Sequence, residues 1–319
     1  MTRSFYIRIT GRLIILQPRR WSAWSIASSL SALIVVTDVS AGCSVGTSLP
    51  HLTFATTHYS EMNVQSPVPF TLNPRGFHLE WQGHDWQFKH HYLALAFPGE
   101  IPEAPSNNGH LHALTFGYYG NFLPSSTGRG NDLHWSVLPT MVVSSNQIRN
   151  PEKLKLYSFR LDGHLIWQNE WQTRWSLLGG LCLGAWRGEY GVIPVVGMYY
   201  KELGKELQLA YPESRFTISL TPALRIHGQW SLSGNEWYVL DRDLKTYSDF
   251  NLVSQRINLG VTVFVSPIGD IDASWFSLFR QNMRYQASNG ARISADTGNS
   301  NGWMIHYTYH FERQNKPSR

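Results

Sequence analysis

Residues 214–232 read SRFTISLTPALRIHGQWSL, and the spacing within this stretch decides the fold class. Phe216, Ile218, Leu220, Leu224, Ile226, Trp230 and Leu232 occupy even positions. Arg215, Thr217, Ser219, Thr221, Arg225, His227, Gln229 and Ser231 occupy odd ones. A period of two means extended chain with two unlike faces. Nineteen residues at about 3.3 Å each is roughly 60 Å, too long for one membrane-crossing strand of about 10 residues. Pro222 cannot donate to a ladder and favours strand ends. A reversal is therefore expected at Thr221-Pro222-Ala223. The apolar parity does not flip across it, which predicts an odd loop of three residues pairing Leu220 with Leu224.

The same alternation recurs along the chain. In 161–178 Leu161, Leu165, Trp167, Trp171, Trp175 and Leu177 share one parity, with His164, Gln168, Glu170, Gln172, Arg174 and Ser176 on the other. In 256–265 the odd positions Ile257, Leu259, Val261, Val263 and Val265 are all apolar. No helical period longer than two turns and no repeat of solenoid spacing interrupts the pattern. The expectation is an all-β chain of about twelve antiparallel strands, within a range of 10 to 14.

Composition says what surrounds such a sheet. Only 15% of the 319 residues are charged, against about 25% in ordinary soluble domains. A mean hydropathy of −0.26 excludes a helical membrane protein but suits a barrel, which hides half of each strand from lipid. Residues 1–41 hold five arginines and one acid, leaving 22 basic and 21 acidic residues beyond them. No basic stripe points to nucleic acid.

Residues 1–41 have the order of a secretory signal peptide: a basic start, the apolar run WSAWSIASSLSALIVV (21–36), and Val39-Ser40-Ala41 as cleavage site. An alternative is a lipoprotein-type box at Ser40-Ala41-Gly42-Cys43, with Cys43 carrying lipid. Two cysteines, Cys43 and Cys182, make neither a disulfide scaffold nor a zinc site, and spacing does not bring them together. Residues 42–75 are expected to be an N-terminal segment serving as a first strand or a plug. Residues 76–311 form the barrel, and 312–319 a polar tail.

In GWMIHYTYHF (302–311), Trp303, Ile305, Tyr307, Tyr309 and Phe311 share one face. This strand resembles the C-terminal signature strand of bacterial outer-membrane proteins, which implies recognition by the barrel-insertion machinery. The tail after Phe311 departs from that pattern. A second resemblance lies in 193–220. Pro194, Val195 and Gly197, then Leu207, Leu209, Pro212, Ser214 and Arg215, are similar to a family of bacterial outer-membrane β-barrels of unknown function. The match covers about 40 residues. It implies a transmembrane barrel in a Gram-negative outer membrane, in contact with outer-membrane lipid, and it carries no activity.

On this reading Phe216, Ile218, Leu224, Ile226, Val261 and Val263 face lipid, and Glu170, Arg174, Arg225, His227 and Arg256 face the lumen. Glu170 and Arg174 would lie about 13 Å apart on one strand and pair across the lumen instead. His227 with Ser219 or Ser231 shows no hydrolase signature. His90-His91 and His110-x-His112 lack acidic or cysteine partners and are read as polar strand face. No catalytic, metal or cofactor residues are expected. A porin-like passive channel for small solutes ranks first, a structural or adhesive barrel second, and an envelope-lipid enzyme third. A soluble exported sandwich is the alternative fold.

Overall fold

The computed structural model describes residues 50–65, 70–96, 110–122, 131–240, 247–266, 268–286 and 291–311, with Cys43 and the dipeptides 8–9 and 12–13. Most of the expected signal peptide and the tail after 311 lie outside the described residues.

Fourteen strands form one antiparallel ring: β1 (His51–Tyr59), β2 (Phe70–Gln82), β3 (Trp86–Ala96), β4 (His110–Asn121), β5 (Asn131–Ser144), β6 (Phe159–Gln172) and β7 (Trp175–Gly184), then β8 (Gly191–Glu202), β9 (Lys205–Tyr211), β10 (Glu213–Thr221), β11 (Leu224–Leu240), β12 (Tyr247–Ser266), β13 (Gly269–Gln286) and β14 (Arg292–His310). The ring closes where β14 pairs β1, from Gly302↔Tyr59 to His310↔His51, and β1 pairs β2, from His51↔Gln82 to His58↔Arg75. Closure removes the edge strands that an all-β chain must otherwise protect. A short strand, Met62–Val64, pairs β2 outside the ring. The count is fourteen, not the expected twelve. The ring also takes in residues 51–59 and 70–75, outside the expected 76–311. Pro74 sits within β2 opposite Leu95.

Sidedness is inverted relative to a soluble protein. Along β12, Ile257, Leu259, Val261, Val263 and Val265 are exposed while Asn258 and Thr262 are buried. Along β14, Trp303, Ile305, Tyr307 and Tyr309 are exposed while Met304 and His306 are buried. Apolar outside and polar inside is the arrangement of a barrel surrounded by lipid. Both chain ends of the ring and its two-residue turns lie at one end, the turn end, together with the β2–β3 and β4–β5 connections; the remaining connections, among them the single residue Pro212 between β9 and β10, lie at the other, the loop end.

The reversal at 221–224 differs from expectation. Thr221 pairs Leu224 and Ser219 pairs Arg225, with a register shift between them. The turn is two residues, Pro222-Ala223, and Leu220 is a one-residue bulge. A two-residue turn alone would flip the parity; the bulge restores it. The same device splits 161–178, expected as one strand. Trp175 pairs Gln172, Ser176 pairs Glu170, and Trp171 is the extra residue. It recurs at the β12–β13 turn, where Ser266 pairs Gly269 and Phe264 pairs Asp270, leaving Val265 extra.

Candidate functional site

The inward faces of the fourteen strands enclose two unlike compartments. Toward the turn end the lining is polar. Following the ladder from β11, Arg225 lies beside Thr262, Asp272 and His306, then Ala55, His78 and His91. One step toward the turn end, Asp270, Thr308, Thr53, Glu80 and Lys89 form a second row. These rows run sideways because hydrogen-bonded neighbours point to the same face.

The polar side chains hold one another. Glu80 lies 3.2 Å from the Lys89 Nζ and 3.4 Å from the His78 Nε2. Asp272 accepts the Thr262 hydroxyl at 2.8 Å, with the His227 Nδ1 at 3.4 Å and the His306 Nδ1 at 3.9 Å. Asp270 meets the His310 Nε2 at 2.8 Å. Arg256 differs. Its guanidinium lies 4.5 Å above the Phe276 ring and its Nη2 contacts the Met304 Sδ at 3.7 Å; its buried Nε has no hydrogen-bond partner among the described residues. It marks the boundary between the compartments.

Toward the loop end the lining is apolar. Leu93, Leu111, Val142, Phe276, Met283 and Met304 pack there with Met62 and Val64. Part of this packing comes from above. β9 has seven residues and β10 nine, so β10 pairs β11 only as far as Ser231. Beyond Ser231, β11 lacks its ring neighbour, and an unpaired edge must find partners or water. The β11–β12 hairpin leaves the wall there and crosses the mouth. The Leu240 N–H donates to the Ser144 Oγ at 3.2 Å, the Asn146 Nδ2 donates to the Leu240 carbonyl at 3.2 Å, and the Arg160 Nη1 donates to the Asn235 Oδ1 at 2.8 Å. Trp237, Val239 and Phe250 point down into the apolar cluster.

Gly234 lets this hairpin lie against the β7–β8 connection. A Cβ there would sit 2.7 Å from the Ala185 and Trp186 carbonyls and the Gly188 nitrogen.

Cys43 is disulfide-bonded to Cys182 on the inner wall of β7, in a buried group with Ile166, Trp186, Ile193 and Val195. Sequence spacing gave no reason to join them, because the contact spans 139 residues. A sulfur in a disulfide cannot also carry a thioether lipid.

The residues expected in the lumen divide into two groups. Arg225 and His227 are buried on the inward face, and Arg256 is half-buried there. Glu170 and Arg174 do not share a strand. Thr173-Arg174 is the β6–β7 turn, and both charges are exposed at the turn end. Arg174 pairs Glu202 at 2.6 Å, and the Tyr200 hydroxyl donates to the same carboxylate at 2.8 Å. The Tyr200 hydroxyl first, then the Arg174 charge, holds the Glu202 carboxyl below its usual range. Val261 and Val263 are exposed on the outward face; Phe216, Ile218, Leu224 and Ile226 share that face and are half-buried.

No protein-family model and no curated protein matches this sequence. Among solved structures, the chain is similar to the Pseudomonas putida toluene transporter TodX, at 8% identity and TM-score 0.37, covering 82% of this chain and 90% of that one. It is similar to the NanC porin at 9% identity and TM-score 0.37, covering 81% and 98%. It is also similar to Neisserial surface protein A at 9% identity and TM-score 0.23, covering 82% and 96%. Likeness this distant carries no argument about what passes through this barrel.

Proposed function

We propose that the protein is a passive channel for small solutes in the outer membrane of a Gram-negative bacterium. Lipid surrounds its apolar outer face, and the turn end faces the periplasm, as short turns and both chain ends do in such barrels. The insertion machinery reads the 302–311 strand. The observation that carries the reading is the lumen itself. A barrel needed only as a wall gains nothing from two rows of ionisable side chains facing inward. Such groups are costly to enclose and set ion preference where a path exists.

The hairpin across the loop end makes this a gated path in its closed form. It also favours a second reading, a non-transporting barrel whose interior is simply packed. Planar-bilayer recording of the purified protein decides between them. Discrete conductance steps are expected across salts and voltages. Silence across all of them, from protein shown to be inserted, removes the channel.

A further inference from the structure

The outward belt is apolar over most of the wall, with scattered polar positions such as His58 and Arg75, which makes a cluster of ionisable side chains on it informative. On β3 and β4 the even positions face outward, and His90, Tyr92, His110 and His112 stand there together toward the loop end. Ser145, the residue after β5, reaches the same group. Ionisable side chains on a lipid-facing surface are expensive and mark function more often than packing.

The contacts within the group are ordered. The Ser145 Oγ lies 2.8 Å from the His112 Nε2. The His112 Nδ1 lies 3.0 Å from the His90 Nε2, with the two rings within 11° of parallel. Tyr92 packs its ring 4.9 Å from His112, and its hydroxyl meets the His110 Nδ1 at 2.5 Å. Two proton assignments satisfy the chain, each the reverse of the other, and catalysis uses the one that leaves the His112 Nε2 bare. In it Ser145 donates its O–H to a bare His112 Nε2; His112 donates its Nδ1–H to a bare His90 Nε2; His90 keeps its proton on Nδ1. A hydroxyl bonded to an imidazole, oriented in turn by a third group, is the arrangement that activates a serine.

We propose that Ser145, His112 and His90 form a serine hydrolase site on the outer wall, acting on carboxylic esters of membrane lipids. The Ser145 Oγ attacks the ester carbonyl carbon as its proton passes to the His112 Nε2. The tetrahedral adduct collapses, the acyl C–O bond breaks, and His112 returns the proton to the leaving alkoxide. Water then attacks the acyl-serine, giving its proton to His112, which reprotonates Ser145 as the free carboxylic acid departs. Ser145 and His112 are the catalytic residues. His90 is a positioning residue that fixes the His112 tautomer. The lipid side is the source of substrate because the group faces outward, away from the lumen. Nothing in this site depends on whether the barrel conducts.

The test uses the full-length protein in detergent and in liposomes. A fluorophosphonate dye should label the wild type. S145A and H112N should lose the label while still showing the heat-dependent gel shift of a folded barrel. Dioctanoylphosphatidylcholine and purified lipid A are offered separately, to identify which lipid is cut, and released fatty acid is measured. H90A should lower kcat about 100-fold or more, as loss of the orienting group does elsewhere, with little change in KM and an altered pH profile. H90N should recover part of that loss. Labelling and acyl release unchanged in S145A, or absent from a folded wild type with both lipids, overturn the site. If S145A misfolds, S145C replaces it, and loss of fluorophosphonate labelling with retained alkylation by iodoacetamide supports the assignment. Retained fluorophosphonate labelling in S145C refutes it.

Discussion

Tyr238 of β11 lies in parallel register with Val143 of β5, six strands away around the ring. Two strands so far apart meet only if one leaves the wall and crosses the opening. The crossing residues carry Trp237 and Val239 into the apolar cluster, so the hairpin is both a bridge and a stopper. A V143C/Y238C pair, placed in a chain lacking the native cysteines, should crosslink on mild oxidation. Conductance should fall to the leak level and return on reduction. Equal conductance in both states would place the hairpin off the solute path.

Gly234 supplies a second handle on the same element. Its missing Cβ allows backbone to approach within 2.7 Å of three atoms of the β7–β8 connection. G234A must push these apart, at a cost of about 1–3 kcal/mol for overpacking. Faster tryptic cleavage within the hairpin, with the gel shift of the folded ring unchanged, is the expected result.

The facing of β11 is testable one residue at a time. Ile226→Arg puts a charge on the outward face two residues beyond the start of β11, where the cost lies between the about 2–4 kcal/mol of the bilayer midplane and the about 0–1 kcal/mol of the interface. Folding into liposomes should drop sharply. Arg225→Ser, one position on, should insert normally and change only ion selectivity. The opposite pair of results would turn the barrel inside out.

Arg256 touches an aromatic ring and a thioether but no carboxylate within 4.0 Å among the described residues. Its charge is therefore available to passing ions. R256Q should shift the reversal potential in a potassium chloride gradient toward cations, while R284Q, at an exposed pair with Glu189, should not. Matching shifts from both variants would show that Arg256 has no special place on the path.

The Cys43–Cys182 bond makes a chemical prediction. A maleimide reagent should label neither cysteine until the protein is reduced and unfolded. C182S should lower the urea midpoint, because the crosslink closes a long loop worth about 2–4 kcal/mol. Metabolic labelling with radioactive palmitate should leave Cys43 unlabelled. Palmitate on Cys43 in the mature protein would exclude the disulfide.

Much of this fold was legible in the sequence because lipid and lumen impose opposite demands on adjacent residues. Val261 and Val263 on one side, and Thr262 on the other, declare themselves by alternation alone. What stayed hidden depends on contacts distant in sequence or on turns without a marker. Thr173-Arg174 has neither glycine nor proline, so two strands read as one. The bulge at Leu220 imitates an odd loop, since both preserve parity. The seven residues of β9 do not announce that β11 will lose a neighbour and fold over. His112 and Ser145 are 33 residues apart and meet only because β4 pairs with β5. His90 and His91 look equivalent as neighbours, yet strand geometry sends one outward and one inward.

The three turn-end bulges have one more effect. Each adds a residue to the outward side: Trp171, Leu220 and Val265, exposed by 65%, 55% and 62%. All three are apolar and stand two residues from a hairpin tip. An aqueous turn directly below and a ring of oily studs directly above give the wall a waterline. Sliding deeper would drag Arg174 and its neighbours into hydrocarbon; rising would lift the studs out of it. The insertions that keep the faces in step thus also resist vertical drift, holding the serine group on β3–β5 at a fixed depth in the membrane.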